Sequence, residues 1–167
     1  MSRPANLLAL VICATLSACA PEAAGPDPRD AGVETPVFHA GADPDDVLGW
    51  GQFRIEAGRL VLNAGVTPYA LNTALFTDHA LKLRTVRLPG GADPAAYDAR
   101  ETFAFPVGTV ITKTFYYPRA GGGFERVARG EPMAHFDGRA LDLSQVRLIE
   151  TRVLARREAG WDAIPYV

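Results

Sequence analysis

This sequence predicts a mainly β fold, a single antiparallel β-sheet or sandwich-like domain with a few short helices, and three observations carry that prediction. Apolar residues recur with a period of two more often than 3.6. Short runs rich in β-branched and aromatic residues are bounded by glycine and proline. The last two such runs are separated by a turn signal and read as a hairpin.

The elements follow in chain order. Arg59 to Leu62 is a short apolar strand after a turn at Gly58, and residues 82–88 alternate Leu83, Thr85 and Arg87 against Arg84, Val86 and Leu88 before Pro89-Gly90-Gly91 ends the run. Residues 110–117 (VITKTFYY) lie between Gly108 and Pro118 and form the best-marked strand. Residues 146–157 (VRLIETRVLARR) can be scored as a helix, but Ile149, Thr151, Val153 and Ala155 make one alternating face, and Glu158-Ala159-Gly160 turns the chain into residues 161–167. Helix is expected only at 45–48, at 74–81 and at 141–145. Tyr69, Phe76, Phe115, Tyr116, Tyr117, Trp161 and Tyr166 sit at alternating or motif-flanking positions and are expected to fill the core.

Ahead of this domain the chain reads as an address and a spacer. Residues 7–16 (LLALVICATL) form an apolar run of ten residues, with Thr15 its one hydroxyl, after the positive Arg3. That suits a secretory signal and falls short of the roughly twenty needed to cross a bilayer. Leu16-Ser17-Ala18-Cys19 matches a bacterial lipobox, so Cys19 is expected to be the lipid attachment point, and Ala20 after it points to the outer membrane. Residues 1–18 are thus a lipoprotein signal peptide. Residues 19–45, with five of the thirteen prolines, are expected to be a disordered Pro/Ala/Gly-rich tether. Residues 46–167, long enough for one core, are the β-rich domain.

Composition excludes several classes. Without residues 1–18, which carry Arg3 alone among charges, 16 basic residues stand against 19 acidic ones, net −3. That balance leaves no electrostatic footprint for nucleic acid. Cys13 lies in the signal and Cys19 at its end, so the domain has no disulfide, Cys-x-x-Cys site or thiol nucleophile. Beyond the signal the only serine is Ser144, without a glycine elbow or a histidine near it in sequence. His39, His79 and His135 lack ligand spacing. No catalytic, cofactor or metal residue is expected.

The polar stretch 67–89 (TPYALNTALFTDHALKLRTVRLP) raises its own question. Asn72 and Asp78 are expected to bond their own backbone and fix the loop that feeds the 82–88 strand; the functional reading is that this loop lines a groove contacted by a neighbouring module. Lys113, Glu150 and Arg152 are expected to form cross-strand ion pairs.

Three motifs then carry a resemblance. Tyr69-Ala70-Leu71-Asn72-Thr73-Ala74-Leu75-Phe76-Thr77-Asp78 with Lys82 and Arg84, residues 105–115 (FPVGTVITKTF), and residues 147–154 (RLIETRVL) running through Gly160-Trp161 to Pro165-Tyr166 together resemble the N-terminal part of a family of exported bacterial dihaem c-type cytochromes. Leu48-Gly49-Trp50-Gly51-Gln52-Phe53 is similar to that family's domain start, more loosely. In such proteins a haem-binding segment follows this region. The present sequence has no Cys-x-x-Cys-His, so the resemblance places haem c only beyond Val167 or in a partner, and either a longer frame or a shortened protein is open. It implies a lipid-anchored, non-catalytic extracytoplasmic module of a c-type cytochrome, with Tyr69, Asn72, Phe76, Asp78, Lys113, Glu150 and Arg152 as its loop or interface residues. The alternative is a stand-alone structural or ligand-binding surface lipoprotein.

Overall fold

The computed structural model describes residues 31–32, 35–121 and 126–167. The predicted signal peptide, Cys19 and most of the predicted tether therefore lie outside the described residues. Among the described residues nine strands, all paired antiparallel, form two sheets. One holds β1 (Ala31–Gly32), β2 (Phe53–Glu56), β3 (Arg59–Leu62) and β7 (Ala140–Asp142), in that order. The other runs β4 (Thr67–Tyr69), β5 (Leu81–Arg87), β6 (Val110–Pro118), β8 (Val146–Arg157), β9 (Gly160–Tyr166). The predicted mainly β, sandwich-like antiparallel domain is what the chain adopts.

Two buried clusters form the core, the first between the sheets and the second against the larger sheet. In one, Phe53, Leu60 and Leu62 pack with Leu83, Tyr116 and Val146; in the other, Trp50 packs with Val110, Val153 and Ala155. Period-two alternation supplies these inward faces. Threonines that face inward satisfy one another across strands: Thr85 and Thr112 hydroxyls lie 2.6 Å apart, Thr114 and Thr151 2.9 Å. A buried hydroxyl without a partner would cost about 1–3 kcal/mol, so the pairing is what makes threonine tolerable there.

The 146–157 run is indeed a strand, in a hairpin whose register closes at Arg157 opposite Gly160. Its predicted face needs one correction. A bulge leaves Ile149 over as Phe115 pairs with Glu150 and Tyr116 with Leu148, so Ile149 is exposed while Thr151, Val153 and Ala155 point inward.

Helix is scarcer than predicted. One 3-10 turn, Val47–Trp50, is capped by the Asp46 carboxylate, which accepts from the Leu48 and Gly49 amides. Residues 74–77 are irregular and 78–79 form a turn just before β5, because Asp78 and His79 take left-handed φ of 45° and 65° and interrupt any helical run. At 141–145, fully buried Leu141 belongs to β7, and Asp142 then turns the chain by accepting from the Ser144 amide and hydroxyl.

Part of the predicted tether is placed on the domain. Ala31–Gly32 pairs with β2, and residues 35–45 are laid against the domain. The Val37 amide donates to the Trp50 carbonyl at 3.0 Å, the His39 ring stands edge-on to Trp50, and Arg157 pairs with Asp43. Trp50 donates its indole N–H to the Tyr166 hydroxyl at 2.8 Å, and that hydroxyl donates to the Pro44 carbonyl. These contacts are between distant parts of the chain, so proline and glycine content could not reveal them.

Candidate functional site: the outer face of the five-stranded sheet

One face of the larger sheet turns away from the core and gathers most of the predicted interface residues. Register sets Tyr69 opposite Arg84, Arg84 opposite Lys113, and Lys113 opposite Arg152, a row crossing four strands. The next row on the same face is Lys82, Phe115 and Glu150. Four cations thus stand with one carboxylate in two adjacent rows. Like charges directly opposite each other destabilise a sheet, so this row opposes folding.

Glu150 offsets part of the repulsion, although not across strands as predicted. It is bound by Arg152 of its own strand, Nε to Oε1 at 2.7 Å and Nη2 to Oε2 at 3.0 Å. That fork holds the Glu150 carboxyl below its ordinary range. Lys113 makes no ion pair among the described residues. Partial burial lowers its ammonium pKa, and neighbouring Arg84, Lys82 and Arg152 lower it further. Lys113 and Arg152 cover the Phe115 ring at 4.7 and 5.1 Å from its centroid. Phe115 is therefore buried as predicted, beneath two cations on the outer face.

Beside the charged rows the face is apolar. The excursion between β5 and β6 carries Tyr97, Phe103 and Phe105, whose rings follow one another at 5.9 and 5.8 Å and end on Trp161 at 5.9 Å. Together with Tyr69, Val86 and Ile111 these rings line a groove of about 750 Å³. Trp161 and Phe76, both expected in the core, are exposed instead: Trp161 ends this aromatic ladder, and Phe76 sits on a loop tip with its ring edge-on to His79.

Asn72 and Phe76 border a second cleft, between the 70–80 loop and the start of β5. The expected Asx bonds do not hold this loop. Its shape comes from Lys82 Nζ donating to the Leu75 carbonyl at 2.8 Å, the Tyr117 hydroxyl donating to the Asp78 carbonyl at 2.9 Å, and the Ala80 amide donating to the Thr77 carbonyl. Asp78 contributes backbone only, whereas Asn63, off this face, is buried, donating to the Gly51 carbonyl and accepting from Arg54.

Sequence reasoning left Arg84 and Arg129 out of the candidate set. Arg84 belongs to an alternating strand, where nothing local separates a solvated arginine from a buried one. Ser144 donates to Asp142 at 2.7 Å, the bond of a turn and not of a serine paired to imidazole. Among the described residues there is no group of three or more His, Cys, Asp or Glu side chains able to hold a metal, and no helix is long and apolar enough to cross a membrane. No protein-family model, curated protein or solved structure matches this chain.

Proposed function

We propose that this chain is an exported, lipid-anchored, non-catalytic β module that docks against the acidic surface of a c-type cytochrome and serves extracytoplasmic electron transfer as that protein's front module or separate partner. The observation that carries the docking is Lys113 beside Arg152 on the outer sheet face, in a row completed by the largely buried Arg84: cations set side by side, against the stability of the sheet and in a chain whose net charge is −2. A negatively charged partner relieves that repulsion and gains on-rate from it. Aromatic and apolar groups flanking the row supply the dry part of a contact. The resemblance in residues 69–84, 105–115 and 147–166 supports the haem partner, and Leu16-Ser17-Ala18-Cys19 supports the anchor, in the outer membrane. No haem is assigned to this chain's own residues.

The test is capture of the full-length tagged chain from detergent-solubilised host membranes. Haem absorbance is expected in the eluate, falling as salt rises from about 0.05 to about 0.5 M, where screening shortens from more than 10 Å to a few ångström. The Lys113→Glu/Arg152→Glu double variant should elute without it. An eluate free of haem at low salt sinks the docking reading and leaves a stand-alone ligand-binding lipoprotein, the second reading, which the aromatic groove favours.

A further inference from the structure

We propose that the cleft beside Arg84 is a binding site for a small organic carboxylate with an apolar body. β4 ends at Tyr69, opposite Arg84, while β5 extends back to Leu81, so the first residues of β5 run past the end of their neighbour. The 70–80 loop wraps this open edge, and Arg129, Gly130 and Met133 approach from the other side. The cleft between them measures about 440 Å³, within the range of small-molecule sites.

Arg84 is 7% exposed and borders this cleft. Among the described residues its guanidinium donates no hydrogen bond and meets no carboxylate within ion-pair distance. Its immediate neighbours in the sheet are the phenol of Tyr69 and the ammonium of Lys113, which cannot neutralise it. Among the described residues Gln52 Oε1 is the one buried side-chain N or O atom without a hydrogen bond, so the guanidinium nitrogens of this largely buried side chain keep a solvent contact; with no acceptor in the protein, they are free to donate to an anion that enters the cleft.

The cleft wall says which anion. No aspartate or glutamate lines it, Lys82 and Arg129 add positive charge, and Lys82 already donates to the Leu75 carbonyl. One planar fork free to donate matches one carboxylate better than a phosphate, which has more oxygens to satisfy. Most of the remaining wall is apolar, with Leu71, Leu75, Phe76, Pro132 and Met133 its larger groups and Asn72, Thr77 and His79 its polar ones. Leu75 and Phe76 are 79% and 71% exposed, so the body of a ligand has apolar surface to cover at the rim. The proposal rests on Arg84 and its cleft, not on a haem partner, and the two fail separately.

The experiment uses the purified full chain with no cytochrome present and three probes: benzoate, its neutral isostere benzamide, and inorganic phosphate. The protein's two methionines are Met1 and Met133, so a methyl-labelled methionine spectrum assigned with Met133→Leu reports on the cleft wall. Benzoate is expected to shift the Met133 methyl saturably, with benzamide and phosphate at least about tenfold weaker, the worth of a charge-assisted hydrogen bond. Arg84→Met should abolish the benzoate shift and Arg84→Lys should retain part of it. Should Arg84→Met not fold by circular dichroism, Arg129→Ala on the opposite wall is expected to weaken benzoate several-fold. Equal shifts from benzoate and benzamide, phosphate binding at least as tightly as benzoate, no shift at all, or unchanged benzoate binding in folded Arg84→Met or Arg129→Ala would each overturn the assignment.

Discussion

Lys113 shows at the scale of one residue how this protein trades stability for a surface. It stands between Arg84 and Arg152 in register, and the only compensation nearby is Glu150, already taken by Arg152. Lys113→Met keeps the methylenes over Phe115 and removes the charge. It should raise stability by a few tenths of a kcal/mol, and at most about 1, after solvent screening. Urea melts check this, and capture of haem protein should weaken in the same variant; a loss of stability would show that Lys113 holds the sheet and that the row is not a strained surface. Tyr116 is a different case. Burial pushes its hydroxyl up to about 12, and it donates to the Ala134 carbonyl. Because the folded value lies above the ordinary value of about 10, the associated stability is complete below pH 10 and is lost as pH rises from 10 to 12. Tyr116→Phe should cost about 0.5–1.5 kcal/mol at neutral pH and flatten that alkaline loss, read from denaturant melts across the same window. Tyr69 and Tyr166, shifted upward by burial too, keep part of the slope.

Among the elements, the segment 35–45 has the most consequential placement. It is fastened at three points: Trp50, the Tyr166 hydroxyl, and Arg157, which pairs with Asp43 and Asp162 and donates to the His39 carbonyl. Gly51 makes the approach possible. Its φ is +59°, and a Cβ there would collide with the Thr35 carbonyl oxygen. Gly51→Ala should therefore cost about 1–3 kcal/mol and free the 35–39 stretch, seen as faster amide exchange at Val37, whose N–H bonds to Trp50. Unchanged exchange at Val37 would mean the segment is held elsewhere. The local signals visible beforehand were turn residues and alternation, so the 110–117 and 146–157 strands could be read off directly. β2 and β4 could not: each is short, and β4 contains Pro68, which weakens a strand signal.

For the whole molecule, the order of strands matters more than their number. The chain leaves the first sheet after β3, builds β4 to β6 in the second, returns for β7 and ends with β8 and β9. Such threading makes neither sheet independent of the other, since β7 completes the first only after most of the second is laid down. Unfolding should then be one cooperative transition. In Trp161→Phe the remaining tryptophan is Trp50, wholly buried, and its fluorescence should change with the same urea midpoint as circular dichroism of the sheets. Separate midpoints would mean that the two sheets unfold independently.

What the sequence determined by itself is the part governed by near neighbours. Alternation decided the strands, Glu158-Ala159-Gly160 the final hairpin, and the period of two placed Lys82, Arg84, Lys113 and Arg152 on sheet faces. Tertiary structure alone decided which face is covered and what each charge meets. Arg84 and Arg87 lie in one strand, yet only Arg84 is buried, because strand register puts Tyr69 and Lys113 beside it and the 70–80 loop over the adjoining edge. Burial of a charge is set by residues far away in the chain, and a local pattern carries no information about them.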